Sequence, residues 1–110
     1  MRAVVFPAIF GRSVIVPGKI EGSVVSYSED GNLVTDIPHD RLRTIPSVSD
    51  VSVVCDEHET VGIYPLDHKE PNFTLLALSG SSGFLELSIV GDSAKAMLGV
   101  RLGEKVLVKW

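Results

Sequence analysis

The stretch KIEGSVVSYSEDGNLVT, residues 19–35, reads as a β-hairpin. Lys19 to Tyr27, with Ile20, Val24 and Val25, reads as a long strand, because branching at Cβ favours a pleated surface over a helix. Glu29-Asp30-Gly31-Asn32 is a tight turn, because Asp-Gly supplies the positive φ that a hairpin needs. Leu33 to Thr35 is the return strand. Gly22 inside the first strand marks a bulge or a close backbone crossing.

The same texture continues outward. Prolines and glycines punctuate the chain at intervals of strand length. Arg2 to Phe6 and Ser13 to Val16 read as strands. Val51 to Cys55 and Thr60 to Tyr64 pair across the polar turn Asp56 to Glu59. Phe73 to Leu78 and Phe84 to Val90 pair across Ser79 to Gly83, and Lys105 to Val108 is a last strand. His39 to Thr44 fits a helical turn or a short strand equally. One helix is predicted, from about Asp92 to Leu98, with Asp92 as N-cap and Gly99 just past its end. It is too short to stand alone and must pack on the sheet. Many short strands and one short helix near the C-terminus predict a mostly-β fold, a small closed or partly open β-barrel.

The chain has 110 residues, room for one domain spanning 1–110. A hydrophobic fraction of 45% against 22% charged is globular. The net charge of -4 and an aromatic content of 6% argue against nucleic acid and anionic membrane as partners. No apolar run is long enough to cross a bilayer as a helix. A single cysteine, Cys55, excludes an internal disulfide framework. It suits a reducing compartment, and a cytoplasmic location is expected. Cys55 itself sits in a valine-rich strand and reads as core.

Few residues announce chemistry. Ser79-Gly80-Ser81-Ser82-Gly83 combines close backbone approach with hydroxyls that donate or accept, which suits a ligand loop; an unliganded hairpin loop is the alternative. Asn32 has a donor and an acceptor for a base edge, or caps its turn. Asp36 is expected to cap the turn into Pro38. His39, His58 and His68 stand beside acids in turns, without metal-ligand spacing, and read as solvated surface. No serine stands in a nucleophile elbow. No catalytic residues and no metal site are assigned.

Several strings together resemble one family. They are Ile20-Glu21-Gly22-Ser23-Val24-Val25, Gly31-Asn32-Leu33-Val34-Thr35-Asp36-Ile37, Ser81-Ser82-Gly83-Phe84-Leu85-Glu86-Leu87, Gly91-Asp92-Ser93-Ala94 and Gly103-Glu104-Lys105-Val106. In order and spacing they resemble the C-terminal domain of the S-adenosyl-L-methionine hydrolases (SAM hydroxide adenosyltransferases), relatives of the fluorinating and chlorinating enzymes. The resemblance runs from about Val16 to Trp110. It implies a small β-barrel that elsewhere follows an N-terminal α/β domain, in trimers that bind S-adenosylmethionine between subunits. By that resemblance Asn32 stands near the adenine, Ser81, Ser82 and Gly83 form the loop that meets the substrate, and backbone from Ile89 to Gly91 reads the adenine edge. The chain departs from the pattern at Ser28, where the family has an acid for the methionine ammonium. It departs again at Asp30, where the family has an aromatic, and at Gly80, where it has Asn.

Read from Met1, the chain has no room for the α/β domain that positions water, so catalysis by the chain alone is not expected. The resemblance implies a non-catalytic stand-alone barrel related to the adenosyl-binding domain. No cofactor is required, and S-adenosylmethionine or adenosine is a candidate weak ligand. A homo-oligomer, a trimer by the resemblance, is the expected assembly. Two alternatives stand beside it: half of a split hydrolase completed by a separate N-terminal-domain partner, or a protein–protein interaction barrel without a small ligand.

Overall fold

A computed structural model describes residues 18–110. The strands expected at Arg2 to Phe6 and Ser13 to Val16 lie outside the described residues. In chain order the elements are β1 (Lys19–Tyr27), β2 (Leu33–Pro38), α1 (His39–Leu42), β3 (Ser52–Cys55), β4 (His58–Val61), β5 (Ile63–Tyr64), β6 (Leu75–Ser79), β7 (Phe84–Ile89), α2 (Ala94–Leu98) and β8 (Lys105–Lys109). The eight strands form a nearly closed, mixed β-barrel in the order β4-β3-β8-β1-β2-β7-β6-β5.

The hairpin of β1 and β2 is where the barrel bends. Lys19 to Ser23 pair with β8, whereas Val24 to Tyr27 pair with β2, and a bulge lies between Val24 and Ser26. A bulge bends its strand and increases the twist, which lets one strand serve two sheets. On the inner face Ile20, Val108 and Val53 form one row and Gly22, Val106 and Cys55 the next. Gly22 leaves space in that second row. A Cβ there would lie 2.5 Å from Ile37 Cγ1 and from Asp36 Oδ1. Gly22 is thus the close crossing, and the bulge lies just beyond it. Asp36 does not cap the turn before Pro38; its Oδ1 accepts the Ser23 N–H at 2.9 Å and ties β2 to β1.

The register between β2 and β7 shifts between Val34 and Pro38. Buried Thr35 patches this irregularity: its hydroxyl donates to the Leu85 carbonyl at 2.7 Å and accepts from the Ile37 N–H at 3.1 Å. Each buried backbone polar group needs such a partner.

The hairpin expected from Val51 to Tyr64 is built differently. The turn after β3 is only Asp56-Glu57, with Asp56 at φ 57° and Cys55 opposite His58. The run expected at Thr60 to Tyr64 divides at Gly62, φ +90°. Before Gly62 the chain pairs antiparallel with β3; after it, Ile63 and Tyr64 pair parallel with β6. This passage from one sheet to the other nearly closes the barrel, and Thr60 Oγ1 donates to the Leu75 carbonyl at 3.2 Å across the seam. The ambiguous His39 segment is a single helical turn, α1, placed after Pro38.

The C-terminal helix is present and ends at Leu98 as expected, but its N-cap lies one residue later. Ser93, not Asp92, is the N-cap: its side chain accepts from the Ala96 N–H, and Gly99 ends the helix in the left-handed region. Asp92 Oδ1 instead accepts the neighbouring Ser93 N–H at 2.7 Å. The Lys95 N–H donates to the Gly31 carbonyl at 2.8 Å, fastening α2 to the β1–β2 turn.

Candidate functional site: the cleft at the β1–β2 turn

Fastening α2 against the first hairpin creates a cleft of about 400 Å³, lined by Asp30, Asn32, His68, Ser88, Ile89, Val90, Gly91 and Asp92. It brings Asn32 together with the turn from Ile89 to Gly91, far away in sequence. Two carboxylates, Asp30 and Asp92, stand at its wall, and among the described residues no lysine or arginine lines it. A second hollow, of about 550 Å³, lies where Trp110 covers Gly18. None of the residues selected from the sequence borders that one.

The two sides are built differently. On the first, Ser28 stands where the resemblance called for an acid, and it holds the turn. The Ser28 N–H donates to the Asn32 carbonyl at 3.0 Å, and Ser28 Oγ accepts the Asn32 N–H at 3.0 Å. The Asn32 side chain is therefore not spent on capping. Gly31, at φ +87°, has Ser93 packed where a Cβ would be. No other residue type meets both demands without strain. On the second side, Gly91 (φ 76°) turns the chain from β7 toward α2. The Val90 N–H and carbonyl are engaged by Thr74 and Phe73, and the Ile89 carbonyl accepts the Asp92 N–H. Among the described residues the Gly91 N–H and carbonyl have no protein partner, so both are available to a ligand edge.

Ser81, Ser82 and Gly83 do not line the cleft. They form the β6–β7 turn, in which Gly83 donates to the Gly80 carbonyl and accepts from the His39 N–H. They connect to the cleft through Glu86. This carboxylate, 3% exposed, accepts from Ser82 Oγ at 2.7 Å, from the Ser82 N–H at 3.3 Å and from Asn32 Nδ2 at 3.0 Å. Gly80 is needed for this grip, because a Cβ there would overlap the Glu86 carboxylate.

Ser88 lines the cleft without having been singled out by the sequence, and His68, expected on the solvated surface, lines it too. Its Nδ1 accepts the Glu70 N–H at 3.1 Å, so in the neutral ring the proton sits on Nε2, a free donor. Its ring meets Tyr64 edge-on, with centroids 6.3 Å apart. Nothing local in Leu66 to Lys69 signalled this, since the loop reaches the cleft only after β5 crosses to β6. Among the described residues no group of three or more His, Cys, Asp and Glu side chains is placed to hold a metal ion.

The family model for the SAM hydroxide adenosyltransferase C-terminal domain matches residues 22–107. Two solved structures share the fold. An uncharacterized conserved protein from Thermotoga maritima is 24% identical with a TM-score of 0.65, over 88% of this chain and 40% of that one. A conserved hypothetical protein from Thermus thermophilus is 26% identical with a TM-score of 0.62, over 80% of this chain and 34% of that one. The chain therefore spans well under half of either. A search of curated proteins finds no match.

Proposed function

The chain belongs to the SAM hydroxide adenosyltransferase C-terminal domain family, and on that premise we propose that its barrel is a non-catalytic, adenosyl-binding module that takes a nucleoside weakly in the Asn32 cleft. The observation that supports this reading is the convergence of Asn32 and the Ile89–Gly91 turn on one cleft of about 400 Å³. By family resemblance these are the groups that face the adenine. A base edge there meets the Asn32 amide, the Gly91 backbone and the His68 Nε2–H.

Affinity is modest on physical grounds. Each hydrogen bond displaces water and contributes only about 0.5–1.5 kcal/mol net. Asp30 offers no stacking face, and base–aromatic stacking is worth about 1–3 kcal/mol. Ser28 carries no charge for a methionine ammonium, so S-adenosylmethionine gains little over adenosine. The carboxylates of Asp30 and Asp92 disfavour phosphorylated nucleotides.

Calorimetric titration tests the reading. Adenosine and S-adenosylmethionine should bind with similar weak affinity, adenosine monophosphate more weakly, and Asn32→Ala should weaken both of the first two. Absence of binding by either would overturn it.

The matched structures are much longer than this chain, which favours a second reading: the barrel completes its pocket against an α/β domain. Self-association is proposed with it, as the family resemblance implies trimers. Sedimentation equilibrium at tens of micromolar should give a mass well above 11.8 kDa.

A further inference from the structure

Glu86 touches both Asn32 and the serine loop, yet it lines neither of the two hollows described above. Its Oε2 is held by the two Ser82 donors and its Oε1 by Asn32 Nδ2. Neither ion pair among the described residues includes it. A carboxylate accepts and does not donate. Asn32 must therefore turn its NH₂ end toward Glu86, and Oδ1, which has no partner among the described residues, is the end left for the cleft.

We propose that Glu86 is a positioning residue that sets the specificity of the cleft: by fixing the Asn32 amide it makes the site present an acceptor, and so selects a purine with a 6-amino group over one with a 6-oxo group. The proposal rests on the reading that the cleft holds a nucleoside base. The two carboxylates at the wall, Asp30 and Asp92, add acceptors, while the donors that line the cleft, the His68 Nε2–H and the Gly91 N–H, lie on other elements and leave the Asn32 position acceptor-only. An oxo group placed against Oδ1 leaves two acceptors facing each other with no proton between them. A site built to bond one partner rejects the mismatched one because buried polar groups are then unpaired.

Glu86→Gln tests the mechanism through selectivity rather than affinity. The Gln side chain has the same shape but one acceptor and one NH₂. The Ser82 N–H can only donate, so together with the Ser82 hydroxyl it retains the Gln carbonyl. The Gln NH₂ then faces Asn32, which turns its own amide and offers N–H to the cleft. Titrations of adenosine and inosine are compared for wild type, Glu86→Gln and Ser82→Ala, each checked for a cooperative thermal transition. The wild type is expected to prefer adenosine about tenfold. Glu86→Gln should erase or reverse that preference. Ser82→Ala loosens Glu86 without altering its acceptor-only chemistry and should keep it. Equal wild-type binding of the two nucleosides would overturn the proposal while leaving the cleft reading intact, as would an unchanged preference in a folded Glu86→Gln. Binding of neither nucleoside by the wild type would remove the cleft reading, and this proposal with it.

Discussion

At the scale of single residues, Cys55 shows how burial sets chemistry. It is 1% exposed on β3, and its thiol is pushed up from 9.0 to about 11. Burial is the main cause, because the thiolate loses its water, and the negative charges of Glu104 and Asp56 add to it. The folded state therefore holds the proton more tightly than the unfolded state. This contribution to stability is complete below pH 9 and is lost as pH rises toward 11. The loss amounts to about 2–3 kcal/mol over that window. Urea unfolding at both ends of it should show a larger drop for wild type than for Cys55→Ala. The same burial makes the thiol slow to alkylate at neutral pH in the native state and fast in urea.

At the scale of elements, α2 matters beyond its five residues. The turn that leads into it places Asp92 at the wall of the cleft, and α2 grips the first hairpin through Lys95, whose ammonium also lies 4.8 Å from the Tyr27 ring centroid. A helix this short depends on its cap and its packing. Ser93→Ala removes the bond to the Ala96 N–H and should cost about 1 kcal/mol. Asp92→Ala removes a contact only to the adjacent N–H and should cost clearly less. Paired denaturation curves distinguish these, and equal losses would return the cap to Asp92. The Ser93 loss should also weaken any ligand, since α2 and the Gly31 turn frame the cleft together.

For the whole molecule the decisive feature is the passage of the chain at Gly62 from the β3 side to the β6 side. Space is not the constraint there, since the nearest atom to an added Cβ is 3.5 Å away. The backbone conformation is, because φ of +90° strains any L side chain. Gly62→Ala should destabilise the barrel by about 1–2 kcal/mol. It should also loosen the loop that brings His68 to the cleft. Hydrogen exchange in β5 and β6 should rise more than in β1 and β8, which pair with each other away from the seam. Uniform protection loss would show that the crossing and the rest of the barrel open as one unit.

Strand chemistry was legible in the sequence because it is local. Val, Ile and the Asp30-Gly31 turn define the first hairpin, the β6–β7 hairpin follows from its small glycine-containing loop, and the C-terminal helix from its short apolar run and Gly99, its cap being Ser93 rather than Asp92. Proline and glycine spacing made a small barrel the natural reading. Asn32 was legible from its own donor and acceptor as a base-edge candidate, with turn capping as the alternative, whereas the Ile89–Gly91 turn was legible only through family resemblance, as its own chemistry is ordinary. What the tertiary structure alone decided depends on groups that meet across long separations. The division at Gly62, the place of Asp36 against Ser23, and His68 at the cleft are all of this kind. So is Glu86, an acid in an apolar strand, whose neighbours Asn32 and Ser82 reach it only when β2, β7 and the serine loop are assembled. A carboxylate's partners determine which way a neighbouring amide turns, and a linear sequence does not contain that proximity.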